Sequence, residues 1–252
     1  MLELKNINKV FNVGTQNELS LFNNFNLNIK KHDFVSVIGS NGSGKTSLLN
    51  IICGSTEIDN GQINIGGRDI TTHKDFIRHR KIGRVYQNPA MGTCPDMTIL
   101  ENMSLADNKG KSFNLGRGTN KKRINYYREC LEHLNLNLED KLANKVGELS
   151  GGQRQAMALV MSTMTPIDFL ILDEHTAALD PKTAEVIMEL TDKIVKDKKI
   201  TTIMVTHNLK YSIEYGNRII MMQRGEKILD QCNEEKRRIT VESLLELLGS
   251  QS

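Results

Sequence analysis

Two kinds of apolar patterning divide the chain. Short runs with few polar interruptions, at 34–38, 82–86, 169–172, 202–205 and 218–222, predict strands. The run Phe169-Leu170-Ile171-Leu172 is apolar on both faces, as a parallel strand covered by helices on each side requires. Near the start, polar and apolar residues alternate instead, as in Met1-Leu2-Glu3-Leu4-Lys5-Asn6-Ile7, and the alternation recurs up to Ile29 and at 62–65. Those segments predict a more antiparallel part. Helical spacing follows the first buried run at 45–53, and from 88 to 166 the strand signal gives way to helical patterns altogether. The predicted class is α/β: a mixed, largely parallel sheet with helices, plus an N-terminal antiparallel β part and an inserted helical lobe. The expected layout is a single domain over 1–252, with a core made of 1–87 and 167–252 and the helical lobe at 88–166. At the far end Thr240 offers an N-cap ahead of Leu244, Leu245, Leu247 and Leu248, which predicts a short amphipathic helix.

Composition narrows the function classes more than it names one. A chain of 252 residues, 38% apolar, can bury a proper core. Its 33 Lys+Arg against 30 Asp+Glu give a net charge of +3, too weak to argue for a nucleic-acid partner. No segment approaches the roughly 18 apolar residues of a membrane span, and the N-terminus lacks the charged-then-apolar layout of a signal peptide. The expectation is a soluble, cytosolic chain. Cys53, Cys94, Cys130 and Cys232 stand too far apart for a zinc pattern and predict reduced, buried or half-buried thiols. The segment 108–123 is basic and glycine-rich and reads as a solvated loop rather than a lipid-headgroup contact.

The chemistry concentrates in three places. Gly39-Ser40-Asn41-Gly42-Ser43-Gly44-Lys45-Thr46 matches G-x-x-x-x-G-K-[ST] in full, between a predicted strand and a predicted helix. Glycines let successive N–H groups face phosphates, the helix N-terminus adds favourable partial charge, Lys45 reaches the β- and γ-phosphates, and Thr46 supplies a hydroxyl for Mg²⁺. Asp173 and Glu174 follow the apolar run 169–172, at the end of a parallel strand where ligands bind. Asp173 is placed to hold the metal through its water shell, and Glu174 to take a proton from an attacking water. Leu149-Ser150-Gly151-Gly152-Gln153 opens a helical run at 154–164 and so presents a second anion-binding helix end. One phosphate cannot easily use both helix ends of a single rigid chain, so the second is expected from a partner.

Phosphate loop, Leu-Ser-Gly-Gly-Gln, then an apolar strand ending in Asp-Glu: this order resembles the ATP-binding cassette (ABC) ATPase family, whose fold is a P-loop NTPase core. Further matches are Ala178-Leu179-Asp180 at the D-loop, His207 at the switch histidine, Gln87 at the Q-loop and Phe11 at the aromatic residue that stacks on adenine. The resemblance implies ATP and Mg²⁺ as cofactors, with Gln87 sensing the metal or the attacking water and His207 the γ-phosphate. It implies a homodimer in which Ser150, Gly151, Gly152 and Gln153 close over the nucleotide bound by the other copy. It also implies integral membrane permease subunits as partners and a peripheral position on the cytoplasmic face of the membrane. Three positions depart from the family pattern: His175 and Ala177 stand where many members have Pro and Ser, and Ala156 stands where Arg is usual. His175 reads as a surface or structural residue, and Met157, Met161 and Met164 as core filling. The run from Asp173 to Pro181, with Tyr215-Gly216-Asn217-Arg218, resembles uptake systems that pair a substrate-binding lipoprotein with one type of membrane subunit. Some of those relatives are associated with tryptophan or tyrosine. A non-transport ABC ATPase acting on DNA or ribosomes is the alternative. The single set of motifs and the lack of sustained heptads disfavour it.

Overall fold

A computed structural model describes residues 1–111 and 118–249. The basic segment 108–123 therefore falls partly outside the described residues. Ten strands and nine α-helices are described. The strands are β1 (Leu2–Phe11), β2 (Leu19–Ile29), β3 (Phe34–Ile38), β4 (Asn60–Ile65), β5 (Arg68–Asp69), β6 (Ile82–Val85), β7 (Phe169–Asp173), β8 (Thr201–Val205), β9 (Arg218–Gln223) and β10 (Glu226–Cys232). The helices are α1 (Lys45–Cys53), α2 (Asp75–Arg78), α3 (Ile99–Asp107), α4 (Ile124–Glu132), α5 (Gly151–Thr163), α6 (Pro181–Lys198), α7 (Leu209–Glu214), α8 (Asn233–Arg237) and α9 (Val241–Gly249).

The alternating N-terminal segments form an antiparallel sheet ordered β2-β1-β4-β5, and the apolar runs form a second sheet ordered β10-β9-β3-β8-β7-β6. Every pairing in the second sheet is parallel except β9 with β10. All five residues of β3 and of β8 are buried, which explains why their sequences carry no alternation. Helix α1 is wedged between the sheets. Its Leu48, Leu49, Ile51 and Ile52 pack against Leu4, Ile7 and Phe22 on one side and Val37, Ile171 and Val205 on the other. Each such side chain contributes about 1.5–3 kcal/mol on burial, so the phosphate loop that feeds α1 is anchored by a dry core on both flanks.

The opposite face of the second sheet is covered by α5 and α6, through Ala158, Leu159 and Met188 against Leu170, Leu172 and Met204. Among its described residues, segment 88–166 holds α3, α4 and α5 and no named strand. It packs a separate cluster in which Met157, Met161 and Met164 fill space beside Tyr127 and Leu131, as expected of flexible thioethers. Buried Ala156 belongs to the same cluster, leaving no room for a long cation at that position. Helix α9 packs Leu244 against Ile38, Ile219 and Met221, with Leu247 and Leu248 alongside, whereas Leu245 points outward.

One expectation changes and another narrows. Cys232 is exposed at the end of β10, while Cys53 is buried and Cys94 and Cys130 are half-buried. His175 belongs to the interior and not the surface: it is 2% exposed, with Nε2 3.1 Å from Thr191 Oγ1 on α6.

Candidate functional site

The loop from β3 to α1 is shaped by what surrounds it. At Gly39 a Cβ would lie 2.2 Å from the Met222 carbonyl oxygen, and φ is +149°, so no other residue fits that crossing of β9. Helix α1 begins after Gly44 with no capping side chain and no acidic residue in its first turn. Its leading N–H groups and positive dipole end therefore stand ready for an anion. Lys45 is 5% exposed and folds its ammonium back onto the loop, donating to the carbonyls of Gly39 and Ser40 at 2.9 Å each and to Ser43 Oγ at 3.4 Å. Burial pushes the Lys45 ammonium below the usual lysine value, and the charge of Glu174 works in the opposite direction.

This loop frames a cavity of about 410 Å³ whose walls also include Phe11, Leu19, Leu21, Glu174 and His207. Residues 41–46 line it; Gly39 and Ser40 do not. Phe11 ends β1 half-buried, with the Lys9 ammonium 5.4 Å from its ring centroid. Across the cavity, Glu174 follows β7 in a left-handed conformation, φ 49°, and its N–H donates to the Val205 carbonyl at 3.0 Å. The turn points the carboxylate to His207, whose Nε2 is 2.7 Å from Glu174 Oε1. A titratable pair at that separation, beside a lysine and an uncapped helix end, is suited to orienting water against a phosphate and taking its proton.

Asp173 ends β7 and does not line the cavity. Its Oδ2 accepts from Arg84 Nη2 at 2.6 Å, and Arg84 Nη1 donates to Asn50 Oδ1 on α1 at 3.0 Å. Burial pulls the Arg84 guanidinium down, but the bond to Asp173 together with the charges of Cys53, Asp173 and Tyr86 leaves it above the usual arginine value. The residues offered to Mg²⁺, namely the exposed Thr46 hydroxyl, the Asp173 carboxylate and the exposed Gln87 amide, carry hard oxygen donors of the kind that ion takes. No group of three His, Cys, Asp or Glu gathers as a metal cluster among the described residues.

Other expected residues lie elsewhere. Gln87 is exposed, two residues beyond β6, and does not line the cavity. Ser150, Gly151, Gly152 and Gln153 are also outside it. Ser150 caps α5 in a reciprocal box: its hydroxyl accepts from Gln153 N–H at 3.2 Å, and Gln153 Oε1 accepts from Ser150 N–H at 3.1 Å. Gly152 has a reason within the chain as well, because a Cβ there would lie 2.4 Å from Thr183 Cγ2 at the start of α6. Asp180 caps α6 through Thr183 N–H at 3.1 Å, and Ala177 beside it is exposed. Asn217 of the Tyr-Gly-Asn-Arg run is structural: its side chain accepts from Phe34 N–H at 2.8 Å and donates to Asp33 at 2.9 Å, fixing β9 beside β3. Arg84 and Asn50 escaped the sequence reading, although an arginine inside an otherwise apolar strand was a signal.

Residues 22–177, spanning the phosphate loop, the Leu-Ser-Gly-Gly-Gln motif and the Asp-Glu strand, match the ABC transporter family model. This chain belongs to the ABC transporter family. It is a member of the ATP-binding kind, with the mixed sheet and helical packing of ABC ATPase cassettes. It is 48% identical over 98% of both chains to a tyrosine transport ATP-binding protein of Clostridioides difficile. It is 37% identical to an uncharacterized ABC transporter ATP-binding protein of Methanocaldococcus jannaschii, over 90% of this chain and 94% of that one. A solved dimeric cassette in a post-hydrolysis state, bound to ADP and Pi, superposes with a TM-score of 0.77 at 32% identity, covering 95% of this chain and 100% of its own. An ABC transporter cassette in its ADP conformation gives a TM-score of 0.81 at 25% identity, covering 99% of this chain and 98% of its own.

Proposed function

We propose that this chain is the ATP-hydrolysing subunit of an importer, working as a homodimer on the cytoplasmic face of the membrane beneath integral permease subunits. The observation that carries this reading is the Glu174–His207 pair, 2.7 Å apart and facing the Lys45 loop across one cavity. In the resting chain Lys45 is held by its own loop carbonyls. An incoming triphosphate replaces those oxygens with its β- and γ-oxygens and takes the free N–H groups of α1. Phe11 stacks on the base. Thr46, Asp173 and Gln87 would hold Mg²⁺, which would supply positive charge to offset that of the phosphates. His207 turns to the γ-phosphate and frees Glu174 to orient a water and accept its proton. Ser150 and its glycines cover the nucleotide of the other copy, an arrangement supported by their placement outside this chain's cavity and by the dimeric relative.

The transported solute is an amino acid, tyrosine in the first instance, a reading supported by the Clostridioides difficile relative and handed over by a substrate-binding lipoprotein. The test is Mg-ATP turnover by the purified protein. Glu174→Gln keeps the side-chain shape and should lower turnover roughly 10²–10⁴-fold while ATP still binds. Turnover near wild type in that variant would remove Glu174 from the role. Loss of labelled-tyrosine uptake on deleting the gene, restored by the wild-type chain and not by Glu174→Gln, checks the solute.

A further inference from the structure

Asp173, the carboxylate that the proposed function gives to magnesium, already has a cation beside it. Arg84 Nη2 is 2.6 Å from Asp173 Oδ2, and the two side chains are only 8% and 15% exposed. The guanidinium is held at several points. Nη1 donates to Asn50 on α1 at 3.0 Å, and Cζ lies 4.7 Å from the Tyr86 ring centroid, while Nε is buried without a hydrogen-bond partner. The backbone on either side is fixed from α5: Ser162 Oγ donates to the Arg84 carbonyl at 3.0 Å, and Gln155 Nε2 donates to the Tyr86 carbonyl at 3.0 Å. A guanidinium so braced does not swing away when ligand arrives, and a buried pair is poorly screened by salt.

We propose that Arg84 is a resident counter-cation for Asp173 that sets how strongly nucleotide binding depends on magnesium. Without metal, an unpaired Asp173 would repel the triphosphate; Arg84 neutralises it, so metal-free ATP is tolerated. With metal, the same positive charge weakens the carboxylate's hold on Mg²⁺. Both effects act in one direction, narrowing the gap between metal-free and metal-bound affinity. Arg84 is a positioning residue here, acting through Asp173, and the inference rests on the Mg-ATP reading above.

The experiment is calorimetric titration with the non-hydrolysable imidodiphosphate analogue of ATP, in Mg²⁺ and in EDTA. The quantity read is the ratio of the two dissociation constants. Arg84→Gln removes the charge but keeps a donor for Asp173, and should widen the ratio by about tenfold or more, the scale of one charge-assisted contact. Arg84→Lys keeps the charge and should stay within about threefold of wild type on the same scale. An unchanged or narrowed ratio in Arg84→Gln overturns the proposal, as does an equal widening in Arg84→Lys. If the neutral variant does not fold, the lysine variant decides alone: within that range it supports the proposal, beyond it the proposal fails. Affinity that ignores Mg²⁺ in both the wild-type protein and Arg84→Gln would overturn the metal reading itself, a result distinct from a normal wild-type response that Arg84→Gln leaves unaltered.

Discussion

Acid should weaken this fold in part through His175. The ring is buried against α6, with Nε2 3.1 Å from Thr191 Oγ1, and the Thr191 hydroxyl in turn donates to the Ile187 carbonyl at 2.7 Å. That hydroxyl proton is committed, so the imidazole donates from Nε2, and burial favours its neutral form. Burial alone lowers its pKa from the ordinary 6.5 to about 4. The native state therefore holds out against a proton that the unfolded chain accepts once the pH drops below about 6.5, and the penalty is complete below about 4. Going from pH 7.5 to pH 5.0, the linkage relation gives a loss of about 2 kcal/mol from this one residue, rising to about 3 kcal/mol at its limit. Against a typical total of roughly 5–15 kcal/mol, that is measurable. His175→Gln keeps a donor for Thr191 and cannot titrate. The chain has no Trp, so guanidinium unfolding is best followed by far-ultraviolet circular dichroism, at both pH values and in both proteins. The loss between pH 7.5 and 5.0 should be about 2 kcal/mol smaller in His175→Gln, contributions from other groups cancelling in the difference. Equal losses in the two proteins would refute the reasoning.

The phosphate loop gives two further predictions. Lys45→Ala removes a charge-assisted donor to the β/γ-phosphates and should weaken ATP binding by about 2–3 kcal/mol, roughly 30–150-fold, in calorimetry; equal affinity would rule the contact out. Gly39→Ala must push a Cβ against the Met222 carbonyl, so β9 or the loop has to shift. It should cost about 2–4 kcal/mol in guanidinium unfolding, and a cost within about 0.5 kcal/mol of zero would mean the crossing is looser than described.

The positions of the buried strands and the phosphate loop were legible because both leave a local mark in the sequence. Strands buried on two faces have no polar positions to alternate, as in β3 and β8, and a backbone that must cradle phosphate leaves glycines at fixed offsets. Strand β10 was not legible. It is an edge strand carrying Lys227 and Asp230, and only the fold shows that Asp230 answers Arg218 at 2.7 Å on β9. Charge inside a strand is read locally as solvation until its partner is known. Arg84 was missed for the same reason, since its meaning depends on Asp173, which lies far away in sequence. His175 left surface and structural readings open, because a titratable residue beside two carboxylates suggests solvent; its contact with Thr191 on α6 selects the structural one. Residues 150–153 were legible as a helix start, and their capping box bears that out. Which copy's nucleotide they serve depends on a second chain.

That assignment is the centre of the account, and mixing two inactive variants tests it most directly. Ser150→Arg blocks the clamp and Glu174→Gln removes the base, so each homodimer should hydrolyse almost no ATP. In a mixed dimer with shared sites, one site carries both lesions, and the other joins an intact Glu174 to an intact Ser150. The measurement is ATP hydrolysis by the mixture, after mixed dimers have been verified with distinguishable tags. The account predicts recovered hydrolysis, at least as a single-turnover burst. No recovery in verified mixed dimers would contradict it, because each chain would then build its whole site alone.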